Sequence, residues 1–455
     1  MKKNERGAFS SKLGFVLSAA GAAVGLGNIW RFPYLAAKYG GGAFLLVYLI
    51  LVATFGYTMI IAESTIGRAS GKSPVGAFRF FSDSKAMAAG GWLNAVIPIL
   101  IVPYYSVIGG WVCKYLFSYL TTDLKTLASD TFFTDFITDG VSTEIWFIVF
   151  TVMVIIVILA GVNNGIERVT RFMMPVLLLL AFIICVYGIR LPGAFEGVKY
   201  FFIPNLKNFS WMTIVSAMGQ MFYSLSIAMG ILITFGSYMS KETSIDKSTR
   251  QVELFDTLIA VMAGLMIIPA VFSFSKGDPE VLKAGPSLMF VMMPKVFAGM
   301  SGGKFIGILF FLLVIFAALT SAIALTECVV STFNDEFGWS RTKGTLITAA
   351  VMIALGTLSC QGYGPLASVT IIGMPFLDFF DFLTNSVMMP LSALAICILV
   401  SRHMGLKLVD QEVMRDGHPF NRRRIFAFMI RYVCPIFVII IFLSSVASAF
   451  GLIKI

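Results

Sequence analysis

The stretch Gly21-Ala22-Ala23-Val24-Gly25-Leu26-Gly27-Asn28-Ile29-Trp30-Arg31-Phe32-Pro33 decides how the chain is read. Gly21 and Gly25 form a GxxxG pair, which alone would mean only two closely packed helices. That leaves Asn28 and Arg31 unexplained, because a guanidinium is expensive at membrane depth and marks function there. Gly21, Gly25 and Gly27 also lower the cost of leaving helical geometry. An unwound turn would free carbonyls for a cation and turn N–H groups toward an anion. A membrane tolerates such backbone only where it lines a protein interior.

The surrounding chain is that of a membrane protein. Of 455 residues 58% are hydrophobic and 13% charged, about half the charged share of a soluble domain. Eleven charge-free windows reach the roughly 18 residues that cross a bilayer core: 13–30, 39–62, 86–113, 145–166, 172–189, 208–240, 257–275, 305–326, 344–377, 382–401 and 432–453. They are too long and too uniformly apolar for barrel strands, which alternate over about ten residues. An all-α polytopic protein follows.

With the N-terminus inside, 22 of the 34 Lys and Arg residues fall on the cytoplasmic side, as the positive-inside rule requires. Eleven spans then place the C-terminus outside. The net charge of +10 reads as this bias plus contact with anionic lipid, with no nucleic acid implied. No A-x-A-like site ends the first apolar stretch, so a cleaved signal peptide is not expected. Cys113, Cys185, Cys328, Cys360, Cys397 and Cys434 sit singly, and His403 and His418 share one basic loop. Neither a disulfide framework nor a metal centre of the Cys/His kind is expected.

The sixth window, 208–240, is longer than one straight span needs, and Gly219 and Gly230 interrupt it. Its centre reads Gly219-Gln220-Met221-Phe222-Tyr223-Ser224-Leu225-Ser226-Ile227-Ala228-Met229-Gly230. Two glycine-interrupted spans five apart point to a transporter of inverted repeats, with helices 1 and 6 unwound in mid-membrane. The organisation is then 1–12 as a cytoplasmic segment, 13–190 as the first repeat of five helices, and 191–207 as an outer loop. Residues 208–401 form the inverted second repeat, 402–426 a cytoplasmic loop, and 427–455 helix 11 with a short outer terminus. The Asp-bearing segment 121–143 reads as an outer loop. The apolar run 288–293 within 276–304 is too short to span and reads as a capping or re-entrant helix.

These residues resemble the neurotransmitter:sodium symporter family, in its bacterial amino-acid transporter branch. The likeness rests on Gly21 to Pro33 with its Gly-Asn-Ile-Trp-Arg-Phe-Pro ending, Tyr104-Tyr105, Gly219 to Gly230, Ala317-Ala318-Leu319-Thr320-Ser321 and Asp381, and covers nearly the whole chain. It implies the leucine-transporter fold, a 5+5 inverted repeat plus one helix, and sodium-coupled import of an amino acid by alternating access.

By that resemblance, two sodium ions would bind. The first would meet the Ala23 carbonyl, Asn28, Ser224 and Asp256; the second the carbonyls of Gly21, Val24 and Ala317 with the hydroxyls of Thr320 and Ser321. All are hard oxygen donors, suited to a small hard cation. Asp256 stands where many relatives carry Asn, and Ala260, one turn on, has no side chain for an anion; chloride independence is expected. Gly25 stands where monoamine carriers have an acid, so the substrate should bring its own carboxylate. The substrate residues would be Ala22, Ala23, Gly25, Leu26, Gly27, Ile101, Tyr105, Tyr223, Ser224, Ser226, Ala228, Met229, Ser321 and Leu325, a lining for a neutral, apolar or aromatic L-amino acid. Arg31 with Asp381 would gate the outer side, and Arg6 with Asp335 the inner side. Glu63 and Glu327 are read as structural hydrogen-bonding groups; Asp378 receives no role. An enzyme is not expected, since no nucleophile–base pair is placed. The remaining alternative is a membrane sensor that binds amino acids without moving them.

Overall fold

The computed structural model describes residues 7–205, 207, 209–275 and 288–449. Among them, nine helices are long and apolar enough to cross a membrane, and Lys12–Ala23 with Gly27–Lys38 makes a further crossing bent by 51°. The interrupted pair Trp211–Ser224 and Ile231–Ser237 takes the place of the sixth expected span. The helix starts follow capping chemistry: the Ser11 hydroxyl accepts from Gly14 N–H, and the Asp139 carboxylate from Val141 and Ser142 N–H. Ser210 and Thr213 form a reciprocal capping box at the start of the sixth span, satisfying donors that a helix end leaves open.

Spans differ in how much protein covers them. Lys85–Thr121 and Gly303–Phe337 are each 78% buried over their apolar window, whereas Gly140–Leu159 and Arg423–Ala447 are 33% buried. The first two are therefore the central pillars. On Gly140–Leu159 the exposed Ile145, Val149, Val152 and Ile156 recur at helical spacing and form one lipid-facing stripe.

Small residues set the distances between elements near the centre. A Cβ on Gly67 would meet the Ile233 backbone, and one on Gly236 would lie 2.6 Å from the Ser64 carbonyl oxygen. Glycine at both faces lets the second span touch the second half of the interrupted sixth, backbone to backbone. The second span also carries a π-turn, Val52–Gly56.

Window 344–377 resolves into the helix Arg341–Gln361 followed by turns, with an Ile371–Met374 bridge before Phe376–Met404. Leu288–Ala298 is a short apolar helix, and the preceding 276–287 lie outside the described residues.

Candidate functional site

Both broken spans open at the same place. In the first, Val24 leaves helical geometry with φ −77° and ψ 96° after its N–H closes the last bond to Ala20. In the sixth, helix stops at Ser224 and resumes at Ile231. Between them Ser226 (φ 53°), Ala228 (φ 61°) and Gly230 (φ 72°) are left-handed. Two non-glycine residues in that region cost energy and persist only where the surroundings hold them. Glu63 supplies one hold, its Oε1 accepting from Ala228 N–H at 2.7 Å.

Cross-links tie the breaks together. Ser226 Oγ donates to the Ala22 carbonyl at 2.9 Å, and Gln220 Nε2 to the Gly27 carbonyl at 3.0 Å. Leu26 N–H donates to the Tyr105 hydroxyl at 3.2 Å. Around this junction lies a cavity with about 330 Å³ of empty space, lined by Ala22, Ala23, Gly25, Gly27, Asn28, Ile101, Tyr105, Tyr223, Ser226, Met229, Ser321 and Leu325. Of the expected substrate residues, Ser224, Leu26 and Ala228 do not line it. Ser224 faces Asp256, Leu26 meets the cavity through its N–H bond to Tyr105, and Ala228 is turned to Glu63.

Asn28, Ser224 and Asp256 converge from three spans. Asp256 Oδ1 accepts from Asn28 Nδ2 at 2.7 Å and from Ser224 Oγ at 2.6 Å. Oδ2 accepts from the Tyr48 hydroxyl at 2.8 Å. All four side chains are buried. Asn28 turns its nitrogen to Asp256 and its Oδ1 to Gly25 N–H at 3.2 Å; presenting oxygen toward Asp256 takes a rotation of the amide. Sequence reasoning missed Tyr48, and its only trace was a hydroxyl in the apolar run Ala43 to Leu51.

A second oxygen cluster lies on the other flank of the first break. Ser321 Oγ is 3.3, 3.1 and 3.3 Å from the carbonyls of Gly21, Ala22 and Val24. Thr320 Oγ1 donates back to Phe316 and Ala317 carbonyls at 3.0 and 3.1 Å, and a Cβ on Gly21 would lie 3.2 Å from Thr320 Cβ. Gly21, Val24, Ala317, Thr320 and Ser321 thus meet.

The charged residues above and below behave differently from one another. Arg31 lies 5.2 Å over the Tyr223 ring and makes no direct ion pair with Asp381. Asp381 accepts from Asn385 Nδ2 at 2.6 Å and the Tyr104 hydroxyl at 3.3 Å. Asp335 accepts from Ser73 N–H at 2.7 Å; Arg6 is outside the described residues. Glu327 binds both terminal nitrogens of Arg341 at 3.0 and 2.6 Å and the Tyr238 hydroxyl at 2.8 Å. Asp378 accepts from the Tyr363 hydroxyl at 3.1 Å.

A helical membrane protein with two mid-span breaks around a closed polar junction is a secondary-transporter architecture. The model of the sodium:neurotransmitter symporter family matches residues 6–139 and 134–452, and the chain belongs to that family. It is 33% identical to an uncharacterized sodium-dependent transporter of Bacillus subtilis, YhdH, over 96% of this chain and 97% of that one. A Haemophilus influenzae sodium-dependent transporter is 31% identical over 97% and 98%. The crystal structure of MhsT in complex with L-phenylalanine superposes with TM-score 0.88 at 36% identity, covering 97% of this chain and 100% of that one. The fold is accordingly the leucine-transporter fold, and the protein is a multi-pass membrane protein for sodium-dependent transport.

Proposed function

We propose that the protein imports a neutral, apolar or aromatic L-amino acid together with two sodium ions and without chloride. One observation carries the reading: the cavity closes directly on the Gly25 backbone. A Cβ there would lie 2.7 Å from Ser321 Oγ and 3.0 Å from the Tyr105 hydroxyl, so no side-chain acid fits beside a substrate amine. The substrate then supplies the carboxylate, which meets the N–H groups near Leu26 and Gly27, the Tyr105 hydroxyl and one sodium. Its ammonium meets carbonyls of Ala22, Tyr223 and Ser226. Ile101, Met229 and Leu325 favour an apolar side chain, and MhsT, crystallised with L-phenylalanine, supports that class.

Sodium at the Asn28–Ser224–Asp256 cluster completes the carboxylate site. Sodium at the Ser321 cluster joins the broken first span to the pillar Gly303–Phe337. Coupling comes from the higher affinity of the ions for the outward-facing than for the inward-facing state. The Asp256 charge takes the part an anion plays in chloride-dependent relatives, and an inside-negative potential drives entry by about 2.3 kcal/mol per charge per 100 mV. Equilibrium binding of labelled L-phenylalanine and L-leucine, set against phenethylamine and isoamylamine, tests the carboxylate requirement. Sodium-dependent binding of the amino acids alone is expected; equal binding of the amines would overturn the reading.

A further inference from the structure

Where the loop after the tenth span turns into the eleventh, Leu406, Lys407, Asp410, Arg423, Arg424, Phe426, Ala427 and Arg431 line an open recess. Four cations and one carboxylate line it, leaving three positive charges in excess. Asp410 is consumed by Arg423, which it holds at 2.8 and 2.6 Å. The side chains of Lys407, Arg424 and Arg431 make no ion pair or hydrogen bond among the described residues. Three uncompensated charges in one recess repel one another and gain from a shared anion.

The neighbourhood says which anion. Arg431 lies seven residues into the helix from Arg424, about 10 Å further along its axis. Yet it is exposed on a span whose outer surface is apolar: Ile425, Phe428, Tyr432 and Ile436 are all exposed. Phe428 and Tyr432 pack at 5.9 Å in the manner of an interfacial aromatic belt. An arginine at that depth is stable when its stem lies along the apolar surface and its head reaches a phosphate.

We propose that this recess binds the phosphodiester headgroup of an anionic phospholipid, its acyl chains lying along Phe428, Tyr432 and Ile436. Arg424 and Arg431 grip the phosphate, Lys407 closes it from the helix Leu406–Val413, and Arg423 is held in place by Asp410. The lipid thereby fastens the amphipathic loop helix to the eleventh span.

The test is native mass spectrometry of the delipidated full chain with phosphatidylglycerol or phosphatidylcholine added. The wild type should retain phosphatidylglycerol preferentially. Each Lys or Arg near a membrane surface contributes about 1 kcal/mol, so R424Q/R431Q should bind it about 30-fold more weakly (about 2 kcal/mol at 1.4 per decade). R424K/R431K should keep most of the preference, and K72Q/K85Q, equal in charge change but outside the recess, should keep all of it. Single Arg424→Gln and Lys407→Gln variants, each about fivefold weaker, carry the test should the double variant misfold. The proposal falls if wild type shows no preference, if R424Q/R431Q retains it, or if K72Q/K85Q loses it equally. It also falls if millimolar inorganic phosphate displaces the lipid completely, since the recess would then serve free phosphate.

Discussion

Replacing Asp256 by Asn removes one negative charge while leaving shape and volume nearly unchanged. In the wild type the carboxylate takes three donors, Asn28 Nδ2 at 2.7 Å, Ser224 Oγ at 2.6 Å and the Tyr48 hydroxyl at 2.8 Å. A sodium ion among these oxygens would lie within about 4 Å of the charge, where two unit charges at an effective dielectric of about 20 interact by about 4 kcal/mol. At 1.4 kcal/mol per decade that is close to three decades of sodium affinity, an upper bound because the three donors already spread the charge. The substitution also turns one acceptor into an NH2 facing a donor, at about 1–3 kcal/mol of stability. Asp256→Asn should therefore raise the sodium concentration for half-maximal substrate binding by about 100-fold or more. The protein should stay folded, with a lower melting temperature in sodium-free buffer. The assay is binding of a labelled amino acid over a sodium titration, with chloride fixed and a melting curve on each preparation. A folded variant whose sodium dependence lies within threefold of wild type would refute the placement of Asp256 in a sodium site.

Wild-type binding and uptake should be unchanged when gluconate replaces chloride; a loss of more than half would contradict the role given to the Asp256 charge. Gly25→Ala puts its methyl 2.7 Å from Ser321 Oγ and should abolish substrate binding, read by a binding isotherm, with little change in melting temperature. Ser321→Ala removes the hydroxyl 3.1–3.3 Å from three carbonyls of the first break; about tenfold weaker sodium dependence is expected, from the loss of about one hydrogen-bond-sized contact. Glu327→Gln leaves Arg341 without its carboxylate. Because the Arg341 side chain is 27% exposed, the loss should be about 2–3 kcal/mol by thermal unfolding, below the 3–5 of a fully buried pair.

The break in the first span was legible because its signals are local: Gly21, Gly25 and Gly27 followed by Asn28 and Arg31 in an otherwise charge-free window. The sixth was legible from its length and Gly230. What holds the breaks open was less so, because those partners are distant in sequence. Glu63 caps Ala228 from 165 positions away and Tyr48 reaches Asp256 across 208. A hydroxyl in an apolar run gives no sign of which carboxylate it meets. The left-handed Ala228 was also out of reach, since alanine carries none of glycine's warning. Arg31 and Asp381 were expected as an outer gate pair bridged through water; their contacts with Tyr223 and Asn385 lie beside that expectation, and no local pattern announces them. The loop contact of Arg422, which donates to the Ala53 carbonyl at the π-turn and to Glu253, depends on a backbone irregularity that no periodicity reveals.

The central claim is that a sodium gradient moves an apolar amino acid through the junction of the two breaks. Purified protein in liposomes, with sodium or potassium outside and a panel of labelled Leu, Met, Ala, Tyr, Phe and Trp, measures it directly. One or more of these should accumulate above the external concentration, driven by the inward sodium gradient and enhanced by an inside-negative potential. Saturable sodium-dependent binding with no accumulation would contradict transport and make the protein a sensor. The absence of both for every α-amino acid would contradict the reading of Gly25.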